Sequence, residues 1–100
     1  MELKEVKKGK FSFVYISRDD CSVCHVLLPK LKKLSERYPK ADFIGIDLEV
    51  VPQAAGEFSV FSIPALIVYS EGKELYRGAR FFNMGELEGK LDRYYSAIFD

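Results

Sequence analysis

Cys21 and Cys24 are the residues of this chain best equipped to do chemistry, since two thiols at Cys-x-x-Cys spacing can form a disulfide and open it again. They are the only two cysteines in the 100-residue chain. Two are too few for a disulfide scaffold, and the loop between them is too small to restrain the unfolded chain much, so reactivity explains them better than stability does. The run Cys21-Ser22-Val23-Cys24-His25 also fits covalent haem attachment, with His25 as one iron ligand and Met84 as a candidate for the other. Zinc is the third use of such a pair. A closed zinc site takes four ligands, and two cysteines with a single histidine do not supply them, so only a metal shared between two chains would complete one.

What separates these readings is the scaffold that has to hold the pair. Phe11 to Ile16 is short, aromatic and β-branched, and nearly apolar on both faces, as a central strand covered on both sides would be. After the polar loop Ser17 to Asp20, Val23, Leu27, Leu31, Leu34 and Tyr38 recur at spacings of three and four, which predicts an amphipathic helix stopped by Pro39. Pro29 lies inside it and should bend it without ending it. Asp42 to Asp47 reads as a second strand, reached by a crossover of a length that suits a parallel pair. Pro52 opens a short helix running to about Phe58. Ala65 to Ser70 and Lys73 to Gly78 flank Glu71-Gly72, the composition of a tight antiparallel hairpin. Asn83, with Glu86 three residues on, resembles a capping box, and Met84, Leu87, Leu91, Tyr94 and Ile98 trace one apolar stripe behind it. The expected fold class is α/β, a mixed four-stranded sheet flanked by helices, in a single domain spanning residues 1–100.

In this layout the cysteines stand where a central strand hands over to a helix. A thiol there faces unpaired backbone N–H groups and the positive end of the helix dipole, which favour the thiolate, so Cys21 is the expected nucleophile. Cys24, deeper in the helix, is placed to attack a mixed disulfide on Cys21 and is the expected resolving thiol. Arg18 favours the Cys21 thiolate while Asp19 and Asp20 oppose it. His25, one turn away, modulates the site when protonated, or is simply solvated. Phe58, Phe61, Phe81 and Phe82 surround a substrate groove or pack the core.

Composition narrows the classes further. With 48% hydrophobic and 14% aromatic residues the chain can bury a core. No apolar run approaches the roughly 20 residues of a membrane-spanning helix. Fifteen basic and fifteen acidic side chains cancel, though residues 1–40 hold ten basic against five acidic, a mild dipole too sparse for a nucleic-acid surface. The amino end is basic but lacks the apolar stretch and cleavage site of a secretory signal, so the expected location is cytoplasmic.

Together these residues resemble the thioredoxin family from about Lys8 to the end of the chain. Cys21-Ser22-Val23-Cys24 occupies the strand-to-helix turn, Pro29 matches the proline of the helix that follows, Ile63-Pro64 precedes the hairpin, and Gly78 follows the last strand. The resemblance implies a thioredoxin-like fold with a shortened amino-terminal region. It implies a cis Ile63-Pro64 bond beside the sulfurs, with Ile63 and Pro64 binding an extended substrate segment. Thiol–disulfide oxidoreduction through a reversible Cys21–Cys24 disulfide follows, on protein substrates, with electrons from a protein or small thiol and no bound cofactor or metal. The alternative is a non-catalytic interaction or redox-sensing module on the same fold.

Departures from the family pattern are local. Asp20 stands where the family has tryptophan, Ser22-Val23 replaces Gly-Pro, and the family's buried aspartate and its lysine partner fall at Tyr15 and Phe43. Proton removal from Cys24 then falls to water, Tyr15 or another group. With so few residues ahead of Phe11, the Asp42 to Asp47 strand is expected to be an open edge, available for a homodimer or another partner.

Overall fold

Phe11, Phe13 and Tyr15 point to one side of the central strand and Val14 and Ile16 to the other, all of them buried, because successive side chains of a strand leave opposite faces. That alternation splits the core into two layers. The computed structural model describes residues 2–100. Its elements are α1 (Leu3–Val6), β1 (Ser12–Ser17), α2 (Ser22–Ser35), β2 (Asp42–Asp47), α3 (Ala54–Glu57), β3 (Ala65–Ser70), β4 (Lys73–Ala79) and α4 (Met84–Phe99). The sheet order is β2-β1-β3-β4, with β1 and β2 parallel and the other neighbours antiparallel.

On one face, Phe11, Phe13, Tyr15, Leu66 and Val68 meet Leu31 and Leu34 of α2 and Leu87 and Leu91 of α4. On the other, Val14, Ile16, Ile46, Ala65, Ile67 and Tyr69 meet Ala54, Phe58 and Val60, with Leu3 and Val6 of α1 packed alongside. Each fully buried aliphatic or aromatic side chain contributes about 1.5–3 kcal/mol from water exclusion, and sheet positions that bury both faces collect that gain twice along the same backbone.

The apolar stripe of α4 seats as its spacing predicts. Asn83 caps the helix, its Oδ1 accepting the Glu86 N–H at 3.0 Å. The Glu86 carboxylate lies 3.6 Å from Lys90 Nζ, one turn further along the helix. The stripe of α2 needs two corrections. Val23 is 56% exposed, and Cys24, 2% exposed, takes the core-facing place. The helix ends at Ser35 and not at Tyr38, because Arg37 N–H bonds to the Leu34 carbonyl and Tyr38 N–H to the Ser35 carbonyl, tightening the final turns. Tyr38 is buried all the same, its hydroxyl donating to Asp92 at 2.6 Å.

Glu71 and Gly72 take φ of +50° and +88°, the left-handed pair of a two-residue hairpin, and Ser70 pairs with Lys73 across it. The amino-terminal segment is tied to this turn: Gly72 N–H donates to the Lys7 carbonyl at 2.8 Å and Glu71 N–H to the Gly9 carbonyl at 2.7 Å. Lys7 itself reaches Glu57 at 2.8 Å over the Phe58 ring, joining α1 to α3. No described strand pairs with the outer side of β2, so that edge is open as expected.

Candidate redox site

Beyond Ser17 the chain reverses through Arg18 to Cys21, and the Cys21 N–H closes the turn onto the Arg18 carbonyl at 3.2 Å. Cys21 has extended backbone angles and is the N-cap of α2, one residue earlier than a place in the first helical turn. Its sulfur accepts the Cys24 N–H at 3.2 Å, doing for the helix what a serine or aspartate oxygen does at other N-termini. The two sulfurs are bonded to each other, with the Cα atoms 5.3 Å apart. Cys21 is partly exposed and Cys24 is buried, so a partner approaching from solvent meets Cys21 first.

Beneath the pair lies Tyr15, 1% exposed. Its hydroxyl donates to the Cys24 carbonyl at 2.7 Å, and its ring lies 6.3 Å from that of Phe43 on the neighbouring strand. An aromatic pair thus fills the place where the resemblance would put an acid and a lysine. Burial pushes the Tyr15 phenol up to about 12, and a phenol that keeps its proton and spends it on a carbonyl is no base at neutral pH. In this arrangement the Tyr15 hydroxyl is engaged in holding Cys24 through its carbonyl. Among the described residues no ionisable side chain hydrogen-bonds to the Cys24 sulfur.

The charges around Cys21 are arranged in a small lattice. Arg18 donates to Asp20 at 3.1 Å and to Glu49 at 3.2 Å, so its guanidinium is shared by two carboxylates and not turned on the sulfur. His25 Nε2 lies 2.6 Å from the Asp19 carbonyl and, facing an oxygen that can only accept, carries the proton. The imidazole straps the loop to α2 from an exposed position.

Ile63 and Pro64 are brought to the same end of the sheet by register. Ile16 pairs with Ala65, so the residues just before Ala65 lie beside the end of β1, where the chain turns toward Cys21. The Ile63–Pro64 peptide is cis, and the Pro64 carbonyl accepts the Arg80 N–H at 2.7 Å. Of the four candidate groove phenylalanines the structure separates two kinds. Phe58 is buried and Phe82 half-buried, whereas Phe61 and Phe81 are 91% and 86% exposed. Gly78 lies inside β4, paired with Leu66, and does not follow the strand as expected; a Cβ there would press on the Tyr76 hydroxyl at 2.6 Å and the Phe82 ring at 2.7 Å, so those side chains would have to shift. Met84 packs against the core cluster at the start of α4. Among the described residues no cluster of three or more His, Cys, Asp or Glu side chains could hold a metal ion.

Sequence reading missed Arg77, whose guanidinium reaches the Phe58 and Ser59 carbonyls at 2.8 and 3.2 Å. No spacing rule marks an arginine on an edge strand for such contacts, which depend on how α3 and β4 meet in space.

The thioredoxin family model matches residues 3–91. The thioredoxin-like protein YdfQ of Bacillus subtilis is 43% identical over 90 residues, covering 90% of this chain and 80% of that protein. Thioredoxin H2 of Arabidopsis thaliana is 28% identical over 96 residues, covering 93% of this chain and 70% of its own length. Among solved structures, thioredoxin 1 of Thermosipho africanus superimposes with a TM-score of 0.77 at 29% identity, covering 86% of this chain and 96% of that one. Oxidized thioredoxin O2 of Arabidopsis thaliana, at 21% identity and TM-score 0.79, shares the fold over 93% of this chain and 83% of its own.

Proposed function

Because this chain belongs to the thioredoxin family, we propose that its activity as a protein thiol–disulfide oxidoreductase runs through Cys21 as attacking thiol and Cys24 as resolving thiol. The observation that carries this division of labour is the difference in access, a partly exposed sulfur capping the helix and a second sulfur buried behind it. In the reducing direction, the Cys21 thiolate attacks one sulfur of a substrate disulfide and expels the other as a thiolate. Cys24 then loses its proton and attacks the Cys21 sulfur of the mixed disulfide. That step releases the second substrate thiol and leaves Cys21–Cys24 oxidised, two electrons having passed to the substrate. A protein or small-thiol reductant closes the cycle.

Ile63 and Pro64 line the groove in which an extended substrate segment lies, supported by the register that sets them beside the Cys21 loop. Asp20 and His25 tune the site through the loop. Asp20 holds Arg18, and His25 holds the Asp19 carbonyl. Tyr15 positions Cys24 by its carbonyl. A cytoplasmic location accords with the cysteine content, since the redox pair uses both thiols and leaves no structural disulfide, the habit of proteins in reducing compartments.

The open β2 edge supports a homodimer. Even-numbered residues donate toward β1, as Asp42 N–H does to the Phe11 carbonyl and Leu48 N–H to that of Ser17. The N–H groups of Phe43, Gly45 and Asp47 therefore face outward, available to a second copy. Sedimentation should show a concentration-dependent dimer that Gly45→Pro removes; a monomer at every concentration rules it out.

The deciding experiment is trapping. Cys24→Ser should accumulate a mixed disulfide with a disulfide-bonded protein substrate such as insulin, and Cys21→Ser should neither trap nor reduce it. A Cys21→Ser variant that still reduces insulin at the wild-type rate overturns the assignment, and a wild-type protein that never reduces insulin leaves the sensing module as the reading.

A further inference from the structure

We infer that Arg77, held from behind by Glu74, is a positioning residue for disulfide exchange: it fixes the 58–62 loop and with it the substrate-facing backbone at Ile63. This inference rests on the reading that Ile63 and Pro64 receive the substrate. Three observations converge on it.

First, Phe58 and Val60 anchor the loop to the sheet core and two backbone bonds tie it to α3, Ser59 N–H to the Gly56 carbonyl and Val60 N–H to the Ala55 carbonyl, but its side facing β4 is held by few contacts. Between α3 and β3 the chain passes through Phe58 to Ser62, and Val60 is its one buried anchor beyond Phe58. Phe61, next in line, is 91% exposed. A cleft of about 210 Å3 separates the loop from β4, with Ser59, Phe61, Ala65, Arg77 and Ala79 among its walls. On the cleft side the loop lacks the packing contacts that Phe58 and Val60 give it against the sheet.

Second, the Arg77 guanidinium spans that cleft. Nη2 donates to the Phe58 carbonyl at 2.8 Å and Nη1 to the Ser59 carbonyl at 3.2 Å. The Phe58 carbonyl belongs to the C-cap of α3, at the end of the helix where carbonyl oxygens lack intrahelical donors. Ser59 takes φ of +52°, in the left-handed region where a serine is uncommon. That conformation is the left-handed end of α3, closed by Ser59 N–H on the Gly56 carbonyl at 3.3 Å and Val60 N–H on the Ala55 carbonyl at 2.9 Å, and the two guanidinium bonds add a tie from β4 to it.

Third, the guanidinium is itself aimed. Glu74, three residues earlier on β4, accepts from Nε at 3.1 Å and from Nη2 at 2.8 Å. A two-point carboxylate contact of this kind sets the plane of the fork, which a lysine could not reproduce. The remaining donors then face the loop. The arrangement works from the far side of the substrate groove, and no atom of Arg77 is needed at the sulfurs.

The consequence is a separation of substrates by size. A protein disulfide must lie along the loop to present its sulfur in line with Cys21, whereas a small aromatic disulfide reaches the partly exposed Cys21 without touching the loop. Arg77→Ala should therefore raise KM for insulin on the order of tenfold, since misplacing a positioning group remote from the chemistry costs up to about a hundredfold. The rate at which the reduced protein reacts with 5,5′-dithiobis(2-nitrobenzoate) should stay within about twofold of wild type, and the Cys21–Cys24 redox midpoint in glutathione buffers should not move. Glu74→Gln should shift KM in the same direction by less, and Arg77→Lys should fall between Ala and wild type.

Thermal unfolding is followed for each variant, and if Arg77→Ala does not fold, Arg77→Lys and Glu74→Gln carry the comparison. A wild-type KM for insulin in the folded variants overturns the inference, and so does an equal fall in the insulin and small-disulfide rates, which would mean general damage to the sulfur site. Failure of the wild-type protein to reduce insulin while it still reacts with the small disulfide refutes the substrate-groove reading instead, and is distinguishable for that reason.

Discussion

Replacing Tyr15 by phenylalanine removes one oxygen from beneath the disulfide and keeps the ring that packs against Phe43. The lost bond, 2.7 Å from the hydroxyl to the Cys24 carbonyl, is buried. A neutral hydrogen bond contributes about 0.5–1.5 kcal/mol net, and an acceptor left with poorer company costs somewhat more, so Tyr15→Phe should destabilise the oxidised protein by about 1–2 kcal/mol in urea unfolding at pH 7. A second consequence follows from the phenol's displacement to about 12. The unfolded chain gives up that proton near pH 10 and the native chain does not, so Tyr15's contribution is whole below pH 10 and is lost as pH rises from 10 to about 12. Two pH units of displacement are worth at most about 3 kcal/mol. Wild type should therefore lose stability faster than Tyr15→Phe over that interval, and the gap seen at neutral pH should close. Burial also pushes up the phenols of Tyr38, Tyr69 and Tyr76, but these are present in both proteins and cancel in the difference. Stability curves that stay parallel from pH 9 to 12, or equal stability at pH 7, would refute the reasoning. Turnover supplies an independent check: a positioning hydroxyl should cost less than about tenfold in kcat with an unchanged pH profile. Loss of a proton carrier would cost about a hundredfold or more and remove a limb of that profile.

Removing Arg18 frees Asp20 and Glu49 beside Cys21, so Arg18→Ala should slow iodoacetamide alkylation of the reduced protein by up to about fivefold at low ionic strength, with the difference fading in 1 M salt as screening shortens to about 3 Å; an unchanged rate at low salt counts against the lattice described for this loop. Asn83→Ala should cost about 1 kcal/mol by orphaning the Glu86 N–H at the start of α4, read as a lower urea midpoint at constant slope, with insulin turnover unaffected at temperatures where the protein stays folded.

The strands and helices were legible because their causes are local. Six-residue runs such as Asp42–Asp47 and Ala65–Ser70 announce themselves by composition and by the turn residues that bound them, and the α4 stripe by its spacing. The alternating apolar faces of β1 declared a strand buried on both sides, and the order of elements placed Cys21 and Cys24 at a strand-to-helix boundary. From the residues alone, then, came the α/β layout, the redox pair and its place in the chain. Periodicity misled at both ends of α2: it ran on to Tyr38, three residues past the end at Ser35, and it chose Val23, which satisfies the same spacing as Cys24, because which of them turns inward depends on how the helix is rotated against the sheet.

Only the tertiary structure could decide contacts made between segments that the chain brings together after folding. Tyr15 finds the Cys24 carbonyl nine residues away and on another layer, Arg77 finds the end of α3 across 19 residues, and Lys7 finds Glu57 across 50. Each is a directional bond whose partners carry no mutual signature in sequence, because distance and angle are set by the packing of the two hydrophobic layers and not by local propensity. The proton inventory of the site followed the same rule. That the Tyr15 hydroxyl reaches the Cys24 carbonyl and keeps its proton to higher pH than a free phenol depends on burial, and burial exists only once the sheet has been covered.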